Sequence, residues 1–149
     1  MGSKQRFDYT CLGDGVNLAS RLEGQSKPYG VRIVLGQRTA HLIQDEYFVL
    51  ELDCIAVKGK KEGVNIYTLL TTNALADTKY SKDKAQHELM IQNYRAQEWK
   101  TAIRLANTLK GSFNNAMDYY YDMMIERIAD LEKAKLSPTW DGVYVATTK

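Results

Sequence analysis

The sequence predicts an α+β protein in two parts: a mixed sheet covered on one face by helices, then an all-α extension. Three observations carry this. Apolar runs rich in β-branched residues alternate with helix-like segments up to about Leu70, in the order β-α-β-α-β-β. From about Lys82 to Leu136 the apolar residues recur only at helical spacing. Between these regions lies a polar stretch, "TTNALADTKYSKDK", with neither pattern. The expected division is therefore residues 1–72, a linker at 73–83, and a helical extension with an irregular tail at 84–149.

The elements follow in order. "RFDYTCL" reads as a strand ending at Gly13, and Asp14 suits the N-cap of a helix running to about Ser26. A Lys-Pro-Tyr-Gly turn leads to "VRIVL", a short strand, and then to "GQRTAHLI", a short helix. "YFVLELDCIAV" and "VNIYTLL" read as strands joined by the basic turn "KGKKEG". In the extension, Trp99, Ala102, Ile103 and Ala106 share one helix face. Met117, Tyr121, Met124, Ile128 and Leu131 form a second seam. "KGSFNN" is the break between these two helices. With Tyr94 they resemble a single tetratricopeptide-type hairpin, which cannot bury its face alone and must dock elsewhere. Trp140 and Tyr144 are the expected anchors of the tail.

With 149 residues the chain is long enough for a real core. Its net charge of +2 gives no broad basic field, which argues against a nucleic-acid partner. No apolar run approaches the ~20 residues of a membrane span. Cys11 and Cys54 sit in apolar strand-like runs without metal-type spacing, so they read as reduced thiols of a cytoplasmic protein. His41 and His87 have no partner motif and read as helix-surface residues.

Four residues invite a chemical reading. Asn17 and Arg21 lie four apart and are neighbours on a helix surface, while Val16, Ala19 and Leu22 form the packed stripe. In isolation an exposed polar face explains them. The sharper reading is a pair of donors aimed at one anionic ligand, the Arg fork on phosphate oxygens and the Asn amide on a sugar oxygen. Lys58 stands at the end of a strand, where it is either a solvated turn residue or a phosphate clamp. It is no P-loop lysine, since GxxxxGK[ST] is absent. Thr10 ends the first strand and matters only if a ligand base lies over it.

Together, "YTCLGDGVNLASRLEGQSKPYGVRIVL" and "AVKGKKEGVNIYTLL" resemble the C-terminal half of a class III nucleotide cyclase catalytic domain over about residues 1 to 70. "EWKTAIRLA" through "PTWDGV" is similar to the helical extension of bacterial adenylate cyclases with sensor and membrane segments upstream. The resemblance implies a partial ferredoxin-like sheet. It matches Asn17 to the ribose-positioning Asn, and Arg21 to the Arg that stabilises charge on the phosphates in the transition state. It matches Lys58 to the Lys on the terminal phosphates of ATP, and Thr10 to one of two adenine-selecting positions. The implied reaction is attack of the ribose 3′-oxygen on the α-phosphorus, with two divalent ions, Mg or Mn, serving the complete domain.

The family's two metal-binding aspartates and its adenine-contacting lysine come from the other half of the domain. Asp8, Asp14 and Asp53 match no metal position, so no metal ligand is assigned. The resemblance further implies a homodimer whose two subunits complete each active site. We therefore expect a piece of a longer polypeptide, inactive by itself and prone to self-associate through an uncovered strand edge. A competing function is a non-catalytic interaction module, binding a partner through the helical extension and its Tyr119-Tyr120-Tyr121 run.

Overall fold

A computed structural model describes residues 26–56 and 63–145. They form an α+β unit in which helices pack on a sheet. The first described element is α1 (Ser26–Tyr29), stopped at Gly30, whose φ of 67° lies in the left-handed region. A short strand β1 (Leu35–Gly36) follows, then α2 (Gln37–Ile43). The hairpin of β2 (Tyr47–Ala56) and β3 (Val64–Thr72) comes next. Three helices complete the fold: α3 (Thr78–Arg95), α4 (Trp99–Leu109) and α5 (Asp118–Ala134). The last strand, β4 (Tyr144–Val145), lies in the tail.

The sheet order is β1-β3-β2-β4. β1 and β2 both run antiparallel to β3, whereas β4 runs parallel to β2, at Ile55 and Ala56. The sheet is thus mixed, as the sequence suggests. "VRIVL" is the exception among the expected strands that fall within the described residues; "RFDYTCL" and nearly all of the helix expected after Asp14 lie outside them. The chain bends at Arg32 after leaving α1, so only Leu35 and Gly36 meet β3, opposite Tyr67 and Ile66.

A bulge in β2 decides which side chains face the helices. Phe48, Leu50 and Leu52 alternate into the core, and period two would next bury Cys54. Between Glu51 and Asp53 the register shifts, because Glu51 opposes Tyr67 while Asp53 opposes the adjacent Ile66. The extra residue resets the phase, so Asp53 and Ile55 are buried and Cys54 is left half-buried.

α3 starts at Thr78, inside the stretch expected as a linker, because the Asp77 carboxylate accepts the Tyr80 N–H at 3.0 Å. The extension has three helices where the sequence suggests two. The extra break falls at Ala96–Glu98, where Gln97 takes a left-handed φ of 62° without any glycine to announce it. Its amide is held by Ser137, whose carbonyl accepts from Gln97 Nε2 at 2.6 Å. The expected break at "KGSFNN" is present as a 3-10 turn over Phe113–Asn115. The α5 seam buries Met124 and Ile128 with Tyr120 and Tyr121.

Sheet and helices share one apolar core. Phe48, Leu50, Leu52, Ile55 and Ile66 from the hairpin meet Met90, Tyr94, Ala106, Met124 and Ile128 from the helices. The helical face is therefore buried against the hairpin. Trp140 and Tyr144 pack against the same core, so the tail is anchored where the sequence suggests.

Candidate functional site

Thr10, Asn17, Arg21 and Lys58 all lie outside the described residues. What the structure describes is the frame beside one of them: β2 ends at Ala56, two residues before Lys58, and Gly63 precedes β3.

Just before that strand end sits a buried polar cluster. Asp53 on β2 is paired with Arg127 on α5, their side chains 0% and 10% exposed. Tyr29 donates its hydroxyl to Asp53 Oδ2 at 2.6 Å, and the Cys54 N–H donates to Oδ1 at 2.8 Å. Arg127 also donates to the hydroxyls of Tyr29, at 3.3 Å, and Tyr94, at 3.4 Å. Its guanidinium carbon lies 3.6 Å from the ring centroid of Tyr144, in cation–π contact. Burial raises the Tyr29 hydroxyl far above its ordinary value, and the Asp53 charge raises it further. Burial alone would weaken the Arg127 cation, but Asp53 and the surrounding hydroxyls more than offset this. The guanidinium stays charged.

A second cluster ties α3 and α5 to the same strand. His87 is fully buried, not on a helix surface. One ring nitrogen, Nε2, faces the Glu51 carbonyl, which can only accept, so Nε2 carries the proton. Nδ1 is then the acceptor for the Tyr121 hydroxyl at 2.8 Å. Burial lowers the His87 pKa to about 4, so the ring is neutral at pH 7. Tyr120 donates to the Leu52 carbonyl at 2.5 Å, and Arg95 bridges to Glu51 at 2.8 Å.

Chemically these groups are occupied with each other. Both Asp53 oxygens are engaged, and among the described residues no three His, Cys, Asp or Glu side chains gather in a way that could hold a metal ion. Among the same residues no buried side-chain polar atom lacks a partner. The cluster is a structural pin between strand and helices. Sequence reading missed it, although one signal was present: a carboxylate inside the apolar run "LELDCIA" needs a buried partner. The tyrosine run divides differently from a recognition surface. Tyr120 and Tyr121 are core residues, and only Tyr119 is exposed. A depression lined by Gln37, Arg38, His41 and Leu42 is open and gathers exposed side chains only.

Comparison with known proteins identifies the relationship. The chain is 44% identical over 73 residues to a terminal-differentiation-specific adenylate cyclase of Dictyostelium discoideum. It is 34% identical over 70 residues to adenylate cyclase 1 of Rhizobium meliloti, and 41% identical over 70 residues to an adenylate cyclase of Anabaena cylindrica. About half of this chain is similar in sequence to parts of adenylate cyclases. The matches cover 47%, 47% and 45% of the chain, but only 3%, 10% and 14% of those cyclases, which are far longer. No family model and no solved structure matches the chain.

Proposed function

We propose that this chain is part of a class III adenylate cyclase that converts ATP to 3′,5′-cyclic AMP and pyrophosphate in the cytoplasm. The observation that carries the reading is the identity of 34–44% to three adenylate cyclases over some 70 residues. The motif "GDGVNLASRLE" gives it chemical content. In this reading the described hairpin and α2 belong to the ferredoxin-like half-sheet of the catalytic domain, and the helices form its C-terminal extension.

Each site residue has a defined task. Asn17 orients the ribose so that its 3′-oxygen approaches the α-phosphorus. As that oxygen bonds to phosphorus, the bond to pyrophosphate breaks and negative charge grows on the phosphate oxygens. Arg21 stabilises this charge, Lys58 holds the terminal phosphates, and Thr10 contacts the adenine. The described residues do not fit a divalent ion, since Asp53 is committed to Arg127 and no acidic cluster accompanies it. The two ions of this proposal, Mg or Mn, belong with carboxylates from the complementary half of a homodimeric site. The chain alone is accordingly expected to be inactive.

The test is Arg21→Ala in the full-length parent protein, supplied with ATP and Mg²⁺ or Mn²⁺ and assayed for cyclic AMP. Removing one well-aimed donor to a developing oxyanion costs roughly 100- to 1000-fold in rate. Unchanged turnover would remove Arg21 from the mechanism.

A further inference from the structure

The connection from α4 to α5 turns the left-handed way. Phe113, Asn114 and Asn115 have φ values of 57°, 55° and 65°, three consecutive left-handed residues with no glycine among them. L-residues enter that region singly, asparagine most readily, and a bulky aromatic there is an outlier. The turn closes through the Asn115 N–H to the Ser112 carbonyl at 3.1 Å and the Ala116 N–H to the Phe113 carbonyl at 3.0 Å. Two outside grips hold it. The Phe113 ring is buried against Phe48 of β2 and Tyr80 of α3, with ring centroids 6.0 Å and 5.3 Å away. Asp118, at the start of α5, accepts from the Gly111 N–H at 2.7 Å and from the Asn115 side-chain amide at 2.6 Å. The next residue, Tyr119, lies against the left-handed Gly30 that ends α1. A Cβ on Gly30 would stand 2.1 Å from Tyr119 Cδ1, so only glycine fits.

From this geometry we infer that residues 111–119 form a strained strap, which opens as a unit below global unfolding and thereby releases the Gly30 turn at the end of α1. The physical basis is a balance. Each left-handed non-glycine residue stores strain that right-handed backbone would relieve, and it persists only where surrounding contacts hold it. Here burial of Phe113 and the two Asp118 bonds hold it, and those bonds lie at the surface, where water competes for every partner. The strap has a definite end. Tyr120 is buried and bonded to the Leu52 carbonyl, so opening stops before it. On the other side Tyr29 remains tied to Asp53, so α1 loses only its Gly30 contact. Opening is therefore confined to contacts of the strap itself, the kind of local unit that opens more cheaply than a core. It is a conformational device: the helical extension can let go of α1 while the shared core stays closed.

The experiment is native-state hydrogen exchange on the full chain, read amide by amide. Asn114→Ala and Asn114→Gly both remove its bond to the Tyr80 hydroxyl at 3.2 Å, and they differ in tolerance of left-handed backbone. The Ala variant should exchange the Asn115 and Ala116 amides about 10-fold faster than the Gly variant. Asp118→Ala should raise exchange at the same two amides. It should also raise it at Gly30 and Val31, whose N–H groups bond the Lys27 and Ser26 carbonyls at 3.0 Å. The β2–β3 ladder should be unchanged. Equal exchange in the Ala and Gly variants means that no strain is held, and overturns the inference. So does an Asp118→Ala variant with no rise at all, or with a rise spread evenly over strap and ladder. A rise that spares Gly30 and Val31 severs the link to α1 and overturns it as well. If Asp118→Ala folds poorly, Asp118→Asn, which keeps one acceptor, is judged by the same criteria.

Discussion

Arg127 is the side chain on which most of the polar core depends. It neutralises Asp53, donates to two tyrosines and supports Tyr144 from below. A buried ion pair adds little net stability over an apolar pair, but removing one partner strands a charge, typically at a cost of about 3–5 kcal/mol. Arg127→Met should therefore destabilise the chain by about that amount in urea unfolding. Adding Asp53→Asn should recover a substantial part, since the stranded charge disappears. A loss under about 1 kcal/mol for Arg127→Met would mean the pair behaves like a surface salt bridge. Sequence could not reveal this pairing, because the partners are 74 residues apart and one is brought into place by a bulge. It did show a carboxylate where an apolar residue belonged.

At the scale of elements, local pattern was a good guide wherever one strong period covers a segment. β2 and β3 occupy the expected runs, α2 spans the expected helix, and α5 buries Tyr121, Met124 and Ile128 of its predicted seam, with Leu131 partly buried. It failed where tertiary contact decides. "VRIVL" has strand composition, yet only two of the residues near its end find a partner. The break at Gln97 carries no glycine or proline, because Ser137, 40 residues away, helps to fix it. His87 is a third case, polar in sequence but placed between β2 and α5. Its burial makes α3 docking pH-sensitive. Above about pH 6.5 the ring is neutral folded and unfolded, and contributes no pH dependence. From there down to about pH 4 the unfolded chain takes up a proton that the folded one refuses, so stability falls as pH falls. The full loss is about 3 kcal/mol, from 1.36 kcal/mol per pKa unit. Urea unfolding from pH 7 to pH 4.5 should show most of it as a difference from His87→Gln, which keeps a donor and an acceptor but no titration. Parallel stability curves for the two proteins would rule out a neutral buried ring.

At the scale of the whole molecule, the question is whether the sheet and the helical extension are independent units. The sequence suggests a boundary, with a linker at 73–83, because the apolar period changes there. A change of period reports a change of element, not a gap in the core. Here α3 begins within that stretch, and its Met90, Ile91 and Tyr94 enter the same cluster as Leu50, Leu52 and Ile66. Three polar ties reinforce the apolar contact: Arg127 to Asp53, His87 to the Glu51 carbonyl, and Tyr120 to the Leu52 carbonyl. None of these can be broken on one side alone without leaving a buried polar group unpaired on the other, at about 1–3 kcal/mol each. Partial opening along the linker therefore strands buried polar groups and exposes the shared apolar core, and the described parts should melt together. Trp99 and Trp140 report only on the helices and tail, while the far-ultraviolet signal also includes the strands. Tryptophan fluorescence and circular dichroism should give coincident urea transitions with a single midpoint. Two separated midpoints would show that the shared core does not couple its halves.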